Sequence, residues 1–361
     1  MADMPPLSLR DLNRTLLHRQ FLLERTGRSP YEVITHLVAM QGQEPNWPYV
    51  GLWSRIEGFR REDLEALLRE RRIVRSTMVR RTMHLAAADD FRWLRPTARG
   101  VVRSALTSAY FAREIEGLDP DEVGAAGRAL LAAGPLTRKE LGLRLAERFP
   151  GRLPARLADT VEVVEPLVHT PGVGAWGGWG NRSGISVTLP DAPMAEPDPD
   201  RMVRRYLAAF GPATVMDAQA WSGVTRLKPV FDRLRPHLRV LEDERGRELF
   251  DLPDAPLLDG DAPAPVRFLP AFDNALLGHR DRTRIIRDEH RGRFARVASG
   301  GVPMFLVDGF VRGVWSVRGT TLAVTPLDPL SGGDAAAVRA EAERLLPFLG
   351  GAEVVVTEGD Q

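Results

Sequence analysis

Apolar positions recur at helical spacing through most of the chain and give way, near its end, to short β-branched runs, so two kinds of element are expected. Ser29-Pro30-Tyr31-Glu32 combines a capping box with proline at the first helical position, and Ile34, Leu37 and Val38 follow. A helix is predicted to start there and to end near Gly42, because Pro45 and Pro48 forbid its continuation. Further on, Gly134-Pro135-Leu136-Thr137-Arg138-Lys139-Glu140-Leu141 is echoed by Gly211-Pro212-Ala213-Thr214-Val215-Met216-Asp217-Ala218. In each copy a threonine can cap a short helix, with an acid three residues on. The first copy leads into a helical stretch from Ala155 to Pro166 and the glycine-rich Pro171 to Gly184. The second leads into Trp221-Ser222-Gly223-Val224, a helix from Arg226 to Leu238 and a strand from Leu238 to Leu241. Each reads as a helix-turn-helix followed by a β-hairpin wing, with chance similarity of two Gly-Pro-x-Thr starts as the plainer alternative.

At the end of the chain Met304 to Val307, Phe310 to Val317 and Thr320 to Pro326 are apolar runs separated by the turn signals Asp308-Gly309 and Arg318-Gly319. A small antiparallel sheet or barrel is expected, then a helix from Asp334 to Leu346 that Pro347 stops. Leu189 to Asp200 and Asp251 to Pro265, rich in proline and aspartate, read as linkers. The chain then divides into residues 1–118, 119–195, 196–262 and 263–361, and the fold class is α+β.

Composition narrows the chemistry. The 361 residues contain no cysteine, which excludes disulfides, thiolate metal sites and cysteine nucleophiles. The histidines lack ligand spacing, so neither a metal nor another cofactor is implied. No apolar run approaches a membrane span and Met1 to Asp11 does not resemble a secretory signal, so a cytoplasmic location without membrane association is expected. The net charge of +1 hides an uneven distribution: residues 1–115 hold 19 Arg against 13 acidic residues, and residues 267–318 hold 10 Arg against 5. Two separated basic stretches fit a groove for a polyanion, and equally a set of solvated helix faces. Lysine occurs only at Lys139 and Lys228, which restricts Schiff-base chemistry.

Gln41-Gly42-Gln43 lies where the first of these helices should end. In an extended chain positions i and i+2 share a side, so two neutral amides could face one pocket. Amides are poor bases and suit a reaction that needs positioning, such as hydrolysis from a cationic N7-alkylguanine, where the purine already leaves easily. Solvent-facing glutamines are the bland alternative.

Several blocks in order carry a resemblance that spans nearly the whole chain. These are Ala39-Met40-Gln41-Gly42-Gln43-Glu44 with Trp53, Arg81-Thr82-Met83-His84-Leu85 with Asp90, Leu269-Pro270-Ala271-Phe272-Asp273-Asn274, and Val307-Asp308-Gly309 with Trp315. Together they resemble the AlkZ/YcaQ family of winged-helix DNA glycosylases. The resemblance implies a C-shaped scaffold of tandem winged helices with a C-terminal β-barrel, and monofunctional excision of N7-alkylguanine from double-stranded DNA. It implies catalysis by Gln41 and Gln43 in the Gln-x-Gln form of the AlkZ branch, which includes antibiotic self-resistance enzymes acting on bulky adducts or crosslinks. The middle residue of that motif is usually aliphatic, and here it is Gly42.

Other residues keep two readings. His84 is a packed core histidine or a DNA contact; Arg81 pairs with a phosphate or with Asp90, and Thr82 belongs to the same candidate surface. His279, Arg280 and Arg282 open an arginine series through Arg284, Arg287, Arg291, Arg293 and Arg296 that fits phosphates along a groove or a solvated helix. Asp273 and Asn274 are grouped with these DNA contacts, although a cap or turn explains them better than catalysis. Gly172 to Gly177 matches G-x-G-x-x-G formally, but glycines follow in place of a helix, so no dinucleotide site is implied. The enzyme is expected to act as a monomer. The alternatives are a non-catalytic winged-helix regulator reading bases in the major groove, and a hydrolase of free nucleosides.

Overall fold

Ser29 does what its sequence context demands: its hydroxyl accepts from Glu32 N at 3.3 Å while the Glu32 carboxylate accepts from Ser29 N at 2.9 Å, starting the helix Pro30–His36. The computed structural model describes residues 5–177, 184–293, 297 and 299–356. That helix stops at His36, well short of Gly42. Val38 turns the chain at φ 68°, an uncommon region for a β-branched residue, and Asn274 Nδ2 donates to the carbonyl of Ala39 at 2.8 Å. Long-range contacts therefore end the helix before the prolines can. The chain emerges extended as β1 (Met40–Gln41), which pairs with β3 (Met83–Ala87), itself antiparallel to β2 (Ile73–Thr77). In this register Met40 faces Leu85 and Gln41 faces His84. Met40 and Leu85 join a core with Val33, Ile34, Leu37, Tyr49 and Leu52.

Both threonine echoes are helix caps with complete capping boxes, Thr137 with Glu140 and Thr214 with Asp217. Around the first, helices Pro120–Leu131, Arg138–Arg148 and Pro154–Val164 accompany a three-stranded sheet in the order β4-β6-β5, with β4 (Leu136–Thr137) between the first two helices and β5 (Val168–His169) and β6 (Ser186–Thr188) after the third. Gly142 sets the helix approach, since a Cβ there would lie 2.3 Å from the Pro154 carbonyl oxygen. This unit has its own core, including Val123, Leu141, Leu145, Leu157, Val161 and Val187. Around the second, helices Pro199–Phe210, Val215–Ser222 and Lys228–Leu234 precede the hairpin of β7 (Arg239–Glu242) and β8 (Glu248–Asp251). Its core of Tyr206, Phe210, Trp221, Phe231 and Phe250 also takes Leu16, Val38 and Ala39 from the start of the chain.

The C-terminal sheet runs β9 (Arg267–Leu269), β10 (Met304–Val307), β11 (Phe310–Arg318), β12 (Thr321–Pro326) and β13 (Glu353–Val356), in the order β13-β12-β11-β10-β9. Among the described residues it is an open sheet, not the expected barrel. One face is occupied by the helix Gly332–Leu349, whose Val338, Ala342 and Leu345 pack with Phe268, Phe305, Trp315 and Val324, leaving no need for edge strands to meet. That helix runs through Pro347 to Leu349 instead of stopping before the proline, which forfeits only a hydrogen bond of its final turn, and Gly350 ends it at φ 73°. Among the described residues no helix is long and apolar enough to cross a membrane.

Buried polar ties bind the start of the chain to its end. Arg55 and Asp273, both almost fully enclosed, make two hydrogen bonds of 2.8 Å, and Arg19 pairs with Asp251 at 2.7 Å. The fold is thus a mixed α+β arrangement in which residues from opposite ends of the chain build the surroundings of β1.

Candidate active site

Gln41 ends β1 beside His84, and its Oε1 is enclosed without a hydrogen-bond partner. An enclosed acceptor without a donor is uncommon in folded proteins and asks for an explanation at the site. Gly42 N–H continues the ladder to the Met83 carbonyl at 2.8 Å, so the chain is still extended between the two glutamines. Gln43 is exposed, and its Oε1 accepts the Met83 N–H at 3.2 Å, which leaves its amide N–H groups and a second oxygen lone pair turned elsewhere. The pair is therefore asymmetric: one carbonyl enclosed and unpartnered, the other partly committed to backbone. At Gly42 a Cβ would meet Pro48 at 3.5 Å and Leu85 at 3.6 Å, ordinary contact distances, so the position does not require glycine.

His84 is a buried strand residue. Its Nδ1 must donate to the Thr82 carbonyl, 2.8 Å away, which leaves Nε2 as the acceptor. Burial and the nearby Arg80 guanidinium push its pKa down to about 3, so it is neutral beside Gln41. The turn between β2 and β3 carries Arg80 and Arg81 at φ 52° and 60°, a strained pair, with Arg80 donating to the carbonyl of Trp221. Arg81 is exposed, and its guanidinium has no hydrogen bond or ion pair among the described residues. It does not pair with Asp90, whose carboxylate receives Arg201 and Arg205 at 3.2 and 2.8 Å. Thr82, half-buried next to it, completes this edge.

The other expected contacts divide. Asp273 is spent on Arg55 and on capping the short helix Asn274–Leu277, where it accepts from Ala275 N at 2.9 Å. Asn274 is spent on Ala39. His279 is buried, with Nε2 donating to the Phe210 carbonyl at 3.0 Å, and burial lowers its pKa. These three are buried because each satisfies a backbone or charged group that would otherwise be buried unpaired, so their polar atoms are committed to the interior around β1. Arg280 is exposed, its guanidinium without a partner among the described residues, and Arg282 is half-buried. Arg284 is buried and donates to the Pro212 carbonyl at 3.1 Å, so the arginine series is not a uniform solvent face. The side chains of Arg291 and Arg293, and Arg296 altogether, lie outside the described residues, as do Gly178 and Gly180.

Sequence reading missed Arg75. From β2 its Nε donates to the Gly42 carbonyl at 2.9 Å and its Nη2 to the Gln43 carbonyl at 3.1 Å, while Nη1 reaches His169 Nδ1. Burial lowers its pKa to about 10, so it remains charged. The available signal was an arginine within the otherwise small and apolar run Ile73-Val74-Arg75-Ser76.

A curated relative, the interstrand DNA cross-link repair glycosylase of Streptomyces sahachiroi, is 28% identical over 350 residues, covering 86% of this chain and 88% of its own. The solved structure of Streptomyces sahachiroi DNA glycosylase AlkZ matches with a TM-score of 0.81 at 24% identity, covering 98% of this chain and 100% of that one, and thus shares the fold. The family described as DNA glycosylase AlkZ-like matches residues 34–348, the greater part of the chain. The chain therefore belongs to the AlkZ-like DNA glycosylase family.

Proposed function

We propose that this glycosylase hydrolyses the N-glycosidic bond of N7-alkylguanine in double-stranded DNA, acting as a monomer and leaving an abasic site without strand cleavage. Its substrates include bulky natural-product adducts and interstrand crosslinks, the latter in keeping with the name of the Streptomyces sahachiroi relative. Such activity would serve DNA repair or antibiotic self-resistance. The scaffold is read as tandem winged helices in a C, with the divisions 1–118, 119–195, 196–262 and 263–361; its support is the recurrence of three helices with an antiparallel sheet or hairpin.

The observation that carries the reaction is the enclosed, unpartnered Oε1 of Gln41, two residues from Gln43. Once the Gln41 amide turns out of that enclosure toward bound substrate, a water donating to its oxygen would gain an acceptor and orient its own lone pair toward the sugar C1′. The two amide dipoles would also stabilise the positive charge that develops on the sugar as the bond breaks. Neither glutamine can take a proton at neutral pH: the N7-alkylated purine carries off the electrons of the C1′–N9 bond and departs as a neutral base without being protonated, and the proton released when water adds to C1′ passes to solvent. His84, held neutral, adds no competing cation beside Gln41. Exposed Arg81 and Arg280, with Arg282 and Thr82, would hold phosphates. No observation favours the regulator reading.

The test is base release from duplexes carrying N7-methylguanine, read as strand breaks after alkali, together with unhooking of a crosslinked duplex. Wild-type protein should release base, and the Gln41→Ala/Gln43→Ala variant should lose about 100-fold or more. Unchanged release by that variant would overturn the assignment. Exposed Lys139 and the Asp232-paired Lys228 are the chain's lysines, so borohydride should trap no covalent DNA complex.

A further inference from the structure

We infer that Arg75 is a positioning residue for the reaction, a buried guanidinium that fixes the backbone of Gln41-Gly42-Gln43 and ties it, through His169, to the neighbouring unit that holds the helices Pro120–Leu131, Arg138–Arg148 and Pro154–Val164. The inference rests on the reading of Gln41 and Gln43 as the reacting pair.

The ladder between β1 and β3 breaks at the motif. Gly42 N–H still donates to the Met83 carbonyl, but the Met83 N–H is taken by the Gln43 side chain, so the carbonyls of Gly42 and Gln43 look elsewhere. Both turn to Arg75, at 2.9 and 3.1 Å. Holding two successive carbonyls with one rigid planar fork sets the orientation of the peptide between them, and with it the direction in which Gln43 leaves the backbone. Gly42 makes that grip matter more, because a residue without Cβ supplies no rotameric preference of its own.

The third prong fixes Arg75 itself. A guanidinium has donors only, so His169 Nδ1 must present its lone pair and the imidazole proton must sit on Nε2. Burial and the Arg75 charge hold His169 neutral, its pKa well below the usual imidazole value, which agrees with that tautomer. Glu162 on the helix Pro154–Val164 contacts Arg138 at 2.8 Å; burial raises its pKa to about 7, and in its ionised form it adds a favourable field at Arg75. Ser76 Oγ donates to the Leu167 carbonyl at 2.6 Å, a second tie between β2 and the same unit. The motif backbone is thus referenced to two folded units at once. Displacing a reacting group by about 1 Å can cost about 100-fold in rate, so loss of the clamp should appear in the chemical step.

The experiment measures single-turnover excision of N7-methylguanine and, separately, the affinity for undamaged duplex, for Arg75→Met, Arg75→Lys, His169→Leu and His169→Asn, with Gln41→Ala/Gln43→Ala alongside. Arg75→Met should slow excision about 10–100-fold with DNA affinity within about 3-fold of wild type. His169→Leu, which removes the acceptor, should slow it by a smaller factor. His169→Asn, whose Oδ1 can replace Nδ1, should restore most of the rate, and Arg75→Lys should fall between Arg75→Met and wild type. A folded Arg75→Met protein that excises at the wild-type rate while Gln41→Ala/Gln43→Ala is inactive overturns the clamp and leaves the glutamine reading standing. Full activity in Gln41→Ala/Gln43→Ala instead overturns the glutamine reading, whatever Arg75 does. Should Arg75→Met fail to fold, equal rates for His169→Leu and His169→Asn overturn the clamp.

Discussion

Replacing Asp273 by alanine separates a DNA contact from a buried structural charge. Its carboxylate meets Arg55 through two bonds of 2.8 Å, with the two side chains 1% and 0% exposed. Removing it leaves the Arg55 cation with only neutral acceptors, the Gly51 carbonyl at 2.9 Å and Gln20 Oε1 at 3.3 Å, in a site where Arg55 Nε already lacks a partner. Breaking a buried pair from one side costs about 3–5 kcal/mol, because the remaining charge stays desolvated. The capping bond to Ala275 N is lost as well, for about 1 kcal/mol. At about 2 °C per kcal/mol for a chain of this size, Asp273→Ala should melt about 8–12 °C below wild type. The double variant Arg55→Met/Asp273→Leu should recover much of that loss, since it removes the charge along with its partner. Scanning calorimetry measures both, and fluorescence anisotropy with undamaged duplex measures affinity below the melting range. A melting point within about 2 °C of wild type, or a tenfold loss of DNA affinity by a folded Asp273→Ala protein, would refute the reasoning.

Three further outcomes are expected. Gly42→Ala should raise stability by about 0.4–1 kcal/mol in denaturant melts, because its Cβ finds contacts of 3.5 and 3.6 Å and the unfolded chain loses freedom; a destabilised variant would show that the backbone there needs glycine. His84 has a folded pKa depressed to about 3 against an unfolded value near 6.5, so its contribution is fully present above pH 6.5 and is lost as pH falls toward 3. Between pH 7 and 5 wild type should therefore lose about 2 kcal/mol more than His84→Asn, and parallel pH profiles for the two would contradict this. Arg81→Gln and Arg280→Gln should each weaken duplex binding and lower the slope of log affinity against log salt by about one; an unchanged slope would remove that residue from the DNA surface.

Features set by neighbours in sequence were legible without the fold. The caps at Ser29, Thr137 and Thr214 depend on groups three residues apart, and all three form as read. Asp308 and Gly309, at φ 49° and 78°, make the tight turn between β10 and β11 because those residue types tolerate the left-handed region. Gln41 and Gln43 were recognisable by their place among family blocks, although their spacing alone had no such weight. Tertiary structure decided the rest. The helix before Gln41 ends at His36 since Asn274, 235 residues away from Ala39, and strand β3 draw the chain out earlier than the prolines require. The C-terminal sheet stays open because a helix and aromatic side chains from the first sixty residues cover it. Asp273 turns inward because Arg55 is there, and Arg75 grips the motif because the ladder beside it breaks. A sequence states local hydrogen-bond partners directly, whereas the partner of a buried charge is set by packing between segments hundreds of residues apart.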